Sequence, residues 1–93
     1  MKQLKVFGKL YQTKNGGTFI GYSTKASSGK WYTVKFARRC EVKPQELGYI
    51  TLNLNDEDYF VKQDGDNFIV WVTNIESYEK STFDNGLKDE LGL

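Results

Sequence analysis

The residues of this chain best suited to chemistry are lysines and flat aromatic rings, interleaved at a spacing of two. Lys5, Phe7, Lys9 and Tyr11 alternate with Leu4, Val6, Gly8 and Leu10. Further on, Trp31, Thr33, Lys35, Ala37 and Arg39 alternate with Tyr32, Val34 and Phe36. Period two is the repeat of a β-strand, so each set shares one face. Cations neutralise phosphates and flat rings receive unstacked bases, which are the two things a single strand of nucleic acid asks of a surface. Each base stack contributes about 1–3 kcal/mol. Phosphate contacts add affinity that falls steeply with salt. A row of exposed aromatics without such a use costs solubility.

Each of these residues also has a plainer reading. Phe7 either stacks or packs under a loop at the end of the core. Tyr11 and Trp31, flanked by lysines in alternation, are expected on the surface. Lys25 and Lys30 flank a turn, and either point into solvent or line the mouth of a strand channel. Trp71 sits in a run that is apolar on both faces, which predicts core or a subunit interface. Tyr22 follows Gly21, a candidate bulge that would change which face it occupies.

Other chemistries find little support. The chain has no histidine, so the commonest general base and metal ligand are missing. No GxSxG, CxxC or phosphate-cradling glycine loop is present. Asp56, Glu57 and Asp58 could hold a divalent cation, but three acids in a turn read more simply as a solvated loop. Asp64-Gly65-Asp66-Asn67 resembles the start of a calcium loop without its distal glutamate, and reads as a hairpin turn. Cys40, the single cysteine, excludes an intramolecular disulfide. Arg38 and Arg39 would favour its thiolate, yet without a partner base it reads as a plain half-buried side chain. An enzyme is not expected, nor any metal or cofactor.

The elements that must position the lysines and rings are short strands. Residues 4–11 form the first, closed by the turn Lys14-Asn15-Gly16-Gly17. Residues 18–26 form the second, and Ser27-Ser28-Gly29 turns it. Residues 30–39 form the third. Between it and the fourth strand, residues 49–54, there is room for at most one helical turn, Gln45-Glu46-Leu47 after Pro44. Strand resumes over 59–62, and residues 68–78 form the last and most apolar strand. About five short strands punctuated by turns predict an all-β sandwich or barrel.

A length of 93 residues holds one domain, expected over 1–80, with a short acidic tail over 81–93 and a helical turn near Leu87. The opening Met1-Lys2-Gln3-Leu4 has no apolar run behind it, which predicts no signal peptide, no membrane span and a cytoplasmic location. The net charge of +1 conceals a division. Residues 1–43 carry ten cations against the single acid Glu41, and residues 44–93 carry three against eleven. Such asymmetry predicts a basic working surface with acidic solvating segments, unless folding intermixes the two halves.

Three stretches carry a family likeness: Leu4-Lys5-Val6-Phe7-Gly8-Lys9-Leu10, Lys30-Trp31-Tyr32-Thr33-Val34-Lys35-Phe36 and Phe68-Ile69-Val70-Trp71-Val72. Together they resemble single-stranded DNA-binding proteins with an OB fold, particularly the short phage-encoded ones, over residues 4–78. The resemblance implies a five-stranded OB barrel, a stacking role for Trp31 and strand-facing roles for Lys9 and Lys35. It also implies a homodimer acting on single-stranded DNA in replication or recombination, in the host cytoplasm. The chain departs from the bacterial pattern in its short third-to-fourth connection and in ending Lys88-Asp89-Glu90-Leu91-Gly92-Leu93 without a long linker. The expected site is therefore Lys5, Phe7, Lys9, Tyr11, Lys25, Lys30, Trp31, Lys35 and Arg39. Single-stranded RNA on the same surface is one alternative. The other is a small β-barrel interaction module of phage origin, working through Asp56, Glu57, Asp58, Asp64 and Asp66.

Overall fold

A computed structural model describes residues 1–80; the tail over 81–93, with the turn expected near Leu87, lies outside the described residues. The chain is all-β: β1 Lys2–Gln12, β2 Thr18–Lys25, β3 Trp31–Phe36, β4 Gly48–Leu54, β5 Tyr59–Asp64, β6 Asn67–Val72 and β7 Ser77–Lys80. A 3₁₀ turn, Asp56–Asp58, separates β4 from β5. All seven strands join one sheet in the order β5-β6-β3-β2-β1-β4-β7, which hydrogen bonds do not close into a barrel. Neighbours pair antiparallel except β3 and β6, which run parallel. No helix among the described residues is long and apolar enough to cross a membrane.

The alternation in sequence sets the two faces. Leu4, Val6, Val34, Ile50, Leu52, Leu54, Val70 and Val72 point inward and are almost wholly shielded from water. No helix or second sheet among the described residues covers that inner face, so the sheet must curl around it. Each such side chain contributes about 1.5–3 kcal/mol when fully buried. Two turns rest on glycine. Gly16, at φ 85°, reverses the loop between β1 and β2. Gly65, at φ 61°, takes the first of the two positions linking β5 to β6, where a tight hairpin needs positive φ.

Several expectations are corrected. There are seven strands rather than about five: the interruption expected between residues 54 and 59 separates two strands with different partners, and the last expected run, 68–78, breaks in two. Asn55 and Asp58 cap one another around the 3₁₀ turn and end β4, so β4 pairs with β1 while β5 pairs with β6. The last run breaks after Val72, where the Thr73 N–H and hydroxyl both donate to the Asp58 carbonyl. Buried Ile75 pins that corner, and β7 then pairs with β4. The third strand stops at Phe36, leaving Arg38 and Arg39 in a turn. Gly21 is no bulge: it pairs in regular register with Lys9. Tyr22 therefore points inward and Lys25 outward.

Residues 45–47 form no helical turn either, because Tyr22 takes up the backbone there. Its hydroxyl lies 3.0 Å from the carbonyl oxygens of both Pro44 and Glu46, and accepts from the Glu46 N–H at 3.1 Å. Gly8 makes the close approach possible. A Cβ there would lie 2.6 Å from the Glu46 carbonyl oxygen and 2.7 Å from the Tyr22 ring.

Tyr22→Phe removes these hydrogen bonds and should cost about 1–3 kcal/mol in denaturant unfolding, because buried backbone groups lose their partner. Burial also pushes the Tyr22 hydroxyl above its ordinary value of 10.0. Its contribution to stability is therefore whole below about pH 10 and is lost as pH climbs through the raised folded value. The alkaline loss of stability should be smaller in Tyr22→Phe.

Candidate nucleic-acid interface

Strand register assembles one outer face from residues far apart in sequence. Across β1 and β2, Tyr11 stands opposite Phe19, Lys9 opposite Gly21 and Phe7 opposite Ser23. Across β2 and β3, Lys25 stands opposite Trp31 and Ser23 opposite Thr33. The face continues through Lys35 opposite Trp71 on β6, and through Phe7 opposite Tyr49 on β4. Trp31 is 50% exposed, Phe19 52% and Tyr11 45%, so three large rings stand half in water on adjacent strands. Lys9, Lys25 and Lys35 are exposed among them, and Lys5 is half-buried.

Two depressions mark this face. The first is lined by Lys5, Phe7, Ser23, Lys25, Trp31 and Tyr49. It opens because the pairing of β1 with β2 ends at Phe7 and Ser23. Beyond that point the buried Thr24 hydroxyl donates to the Lys5 carbonyl at 2.7 Å, satisfying a group the ladder has left. The second is lined by Tyr11, Phe19, Gly21, Thr33, Lys35 and Trp71. Ser23 borders both. Cations sit beside the rings: Lys9 Nζ is 5.9 Å from the Tyr11 centroid and Lys35 Nζ 5.9 Å from that of Trp71.

The division of charge along the chain is a division in space. The sheet order sets β1, β2 and β3 in the middle, and residues 1–40 contain no acid. Asp64 and Glu79 lie on the edge strands β5 and β7. The halves meet where Lys2 pairs with Asp56, while β1, β2 and β3 themselves carry no acid.

Seven of the nine expected residues meet here: Lys5, Phe7, Lys9, Tyr11, Lys25, Trp31 and Lys35. Phe7 is half-buried and packs against its cross-strand neighbour Tyr49, ring centroids 4.9 Å apart, rather than under a loop. Lys30 lies elsewhere. Its Nζ donates to the Asp66 carbonyl at 2.8 Å and stands 4.8 Å from the Phe68 ring, where it ties the β2–β3 turn to the β5–β6 hairpin. Arg39 is exposed in the turn after β3 and is not carried on the face by strand alternation. The structure adds Phe19, Tyr49 and Trp71. The first two had a signal, since a hairpin about Asn15-Gly16 sets Phe19 across from Tyr11, and Tyr49 alternates with inward Ile50. Trp71 had none, because only the parallel pairing with β3 brings it out.

The chain matches no protein-family model, no curated protein and no solved structure. What the face can do follows from its geometry alone.

Among the described residues, the acids of the second half do not form a comparable surface. Asp58 is buried and accepts from the Asn55 N–H at 2.9 Å, while Asp56 pairs with Lys2 at 3.0 Å. Asp64 and Asp66 sit at the far end of β5, about 17 Å away at the usual strand rise. The described residues contain no cluster of three or more candidate metal ligands.

Cys40 is buried and donates to the Val42 carbonyl at 3.1 Å. Burial pushes its thiol above the ordinary value despite Lys43 nearby. The folded protein should therefore resist thiol reagents at neutral pH and react once unfolded, which an absorbance assay with and without denaturant checks.

Proposed function

We propose that this chain binds single-stranded DNA, without strong sequence preference, on the outer face of β1, β2 and β3. One observation carries the reading: exposed Tyr11, Phe19 and Trp31 alternate with Lys9, Lys25 and Lys35 across three adjacent strands that contain no acid. Bases stack on the rings and phosphates run along the ammonium groups. Both interactions ignore base identity, because every base has a π-face and every nucleotide a phosphate. The action is passive: the strand is held unpaired, as replication or recombination requires.

The strand order supports an OB-type arrangement for the domain. β1, β2 and β3 form an antiparallel meander, β6 lies parallel to β3, and β4 returns to β1. In this reading β4 and β5 are two halves of one strand, broken at the 3₁₀ turn, which leaves the sheet open.

Fluorescence anisotropy of labelled oligo(dT) tests the proposal. Wild-type protein should bind at low salt, and Trp31→Ala should weaken binding by about 5- to 150-fold, equivalent to one lost stack. The slope of log affinity against log salt should be about −0.7 for each phosphate neutralised. Lys25→Ala should make that slope shallower by about 0.7, whereas Lys30→Ala should leave it unchanged. No binding at tens of micromolar protein and low salt would reject the proposal.

A further inference from the structure

Gly21 occupies the middle of β2 for no reason that the backbone supplies. Its φ is not positive, and its pairing with Lys9 is regular. Glycine inside a strand is about 0.5–1 kcal/mol worse than alanine. A side chain there would meet the Tyr11 ring first: an added Cβ would lie 2.6 Å from Tyr11 Cε2 and 2.9 Å from Cδ2. Glycine thus lets the Tyr11 ring settle over β2 instead of standing away from the sheet. In that pose Tyr11 stacks on Phe19, with centroids 5.4 Å apart and planes 18° from parallel. The pair stays half-exposed, with Lys9 beside it. Two rings already held parallel lose little freedom when a third flat ring joins the stack.

We propose that Tyr11 and Phe19, laid down by Gly21, form a second base-stacking subsite separate from Trp31, with a nucleobase as its ligand and Lys9 as the neighbouring phosphate contact. Gly21 is a positioning residue that acts only through Tyr11. The inference rests on the proposed single-strand binding.

A double-mutant cycle on oligo(dT) tests it. Gly21→Ala should fold with a thermal midpoint no lower than wild type and bind about tenfold more weakly, within the range of one lost stack. Tyr11→Ala should weaken binding by a similar factor, and adding Gly21→Ala to it should cause no further loss. In wild-type protein free of DNA, the Gly21 Hα resonances should be shielded by the ring, and Tyr11→Leu should remove that shift. This readout holds even where Gly21→Ala does not fold. Gly21→Ala binding like wild type, equal losses in both backgrounds, or unshielded Gly21 would overturn the inference. So would a Tyr11→Ala variant that loses stability but no affinity, because Tyr11 would then only cover the glycine. In those cases wild-type binding and its Trp31 dependence remain, and the broader proposal stands. Wild-type protein that does not bind oligo(dT) would remove both.

Discussion

Everything in this structure depends on a single sheet having to bury its own inner face. With no helix or second sheet among the described residues to cover Leu4, Val6, Ile50, Leu52, Val70 and Val72, the sheet curls until its own strands shield them. The same curl leaves the outer face of β1, β2 and β3 uncovered. Four large rings lie there, and three of them, Tyr11, Phe19 and Trp31, stand about half in water. Burial explains Leu4 and Val34. It does not explain Trp31 at 50% exposure beside Lys25.

Connectivity turns a gradient along the chain into a pattern across the sheet. The first three strands pair with one another and take the middle, while the later strands are added outside them, β6 and β5 on one side and β4 and β7 on the other. The acid-free stretch over residues 1–40 therefore supplies an acid-free centre. Its lysines repel one another and would be better dispersed for stability alone. They are held together by backbone ladders whose hydrogen bonds do not depend on side-chain charge. The first depression owes its shape to the same geometry, since on the N-terminal side of Phe7 β1 is parted from β2 and follows β4 around the core.

The faces of β1 and β3 were legible in the sequence because period-two alternation needs no partner to be read. The turns at Asn15-Gly16, Ser27-Gly29 and Gly65-Asp66 were legible too, since their chemistry is local. What sequence did not disclose was set by contacts between distant segments. The break at Thr73 depends on the Asp58 carbonyl, and the extended course of 45–47 on the Tyr22 hydroxyl. Lys30 has the composition of a strand-binding residue, and only the nearby Asp66 carbonyl shows that its ammonium is engaged elsewhere. Trp71 lies in an apolar run that conceals its face until the parallel pairing with β3 is known. Gly21 has the sequence signature of a bulge, whereas what lies against it is the Tyr11 ring.

The central claim is that the outer face of β1, β2 and β3 is the working surface, and amide resonance mapping tests it most directly. Titrating short oligo(dT) into isotope-labelled protein should shift Gly21, Ser23, Lys25, Trp31 and Thr33. Asp56, Glu57, Asp64 and Asp66 should stay unmoved. Shifts confined to those acidic turns, or none at saturating oligonucleotide, would contradict it.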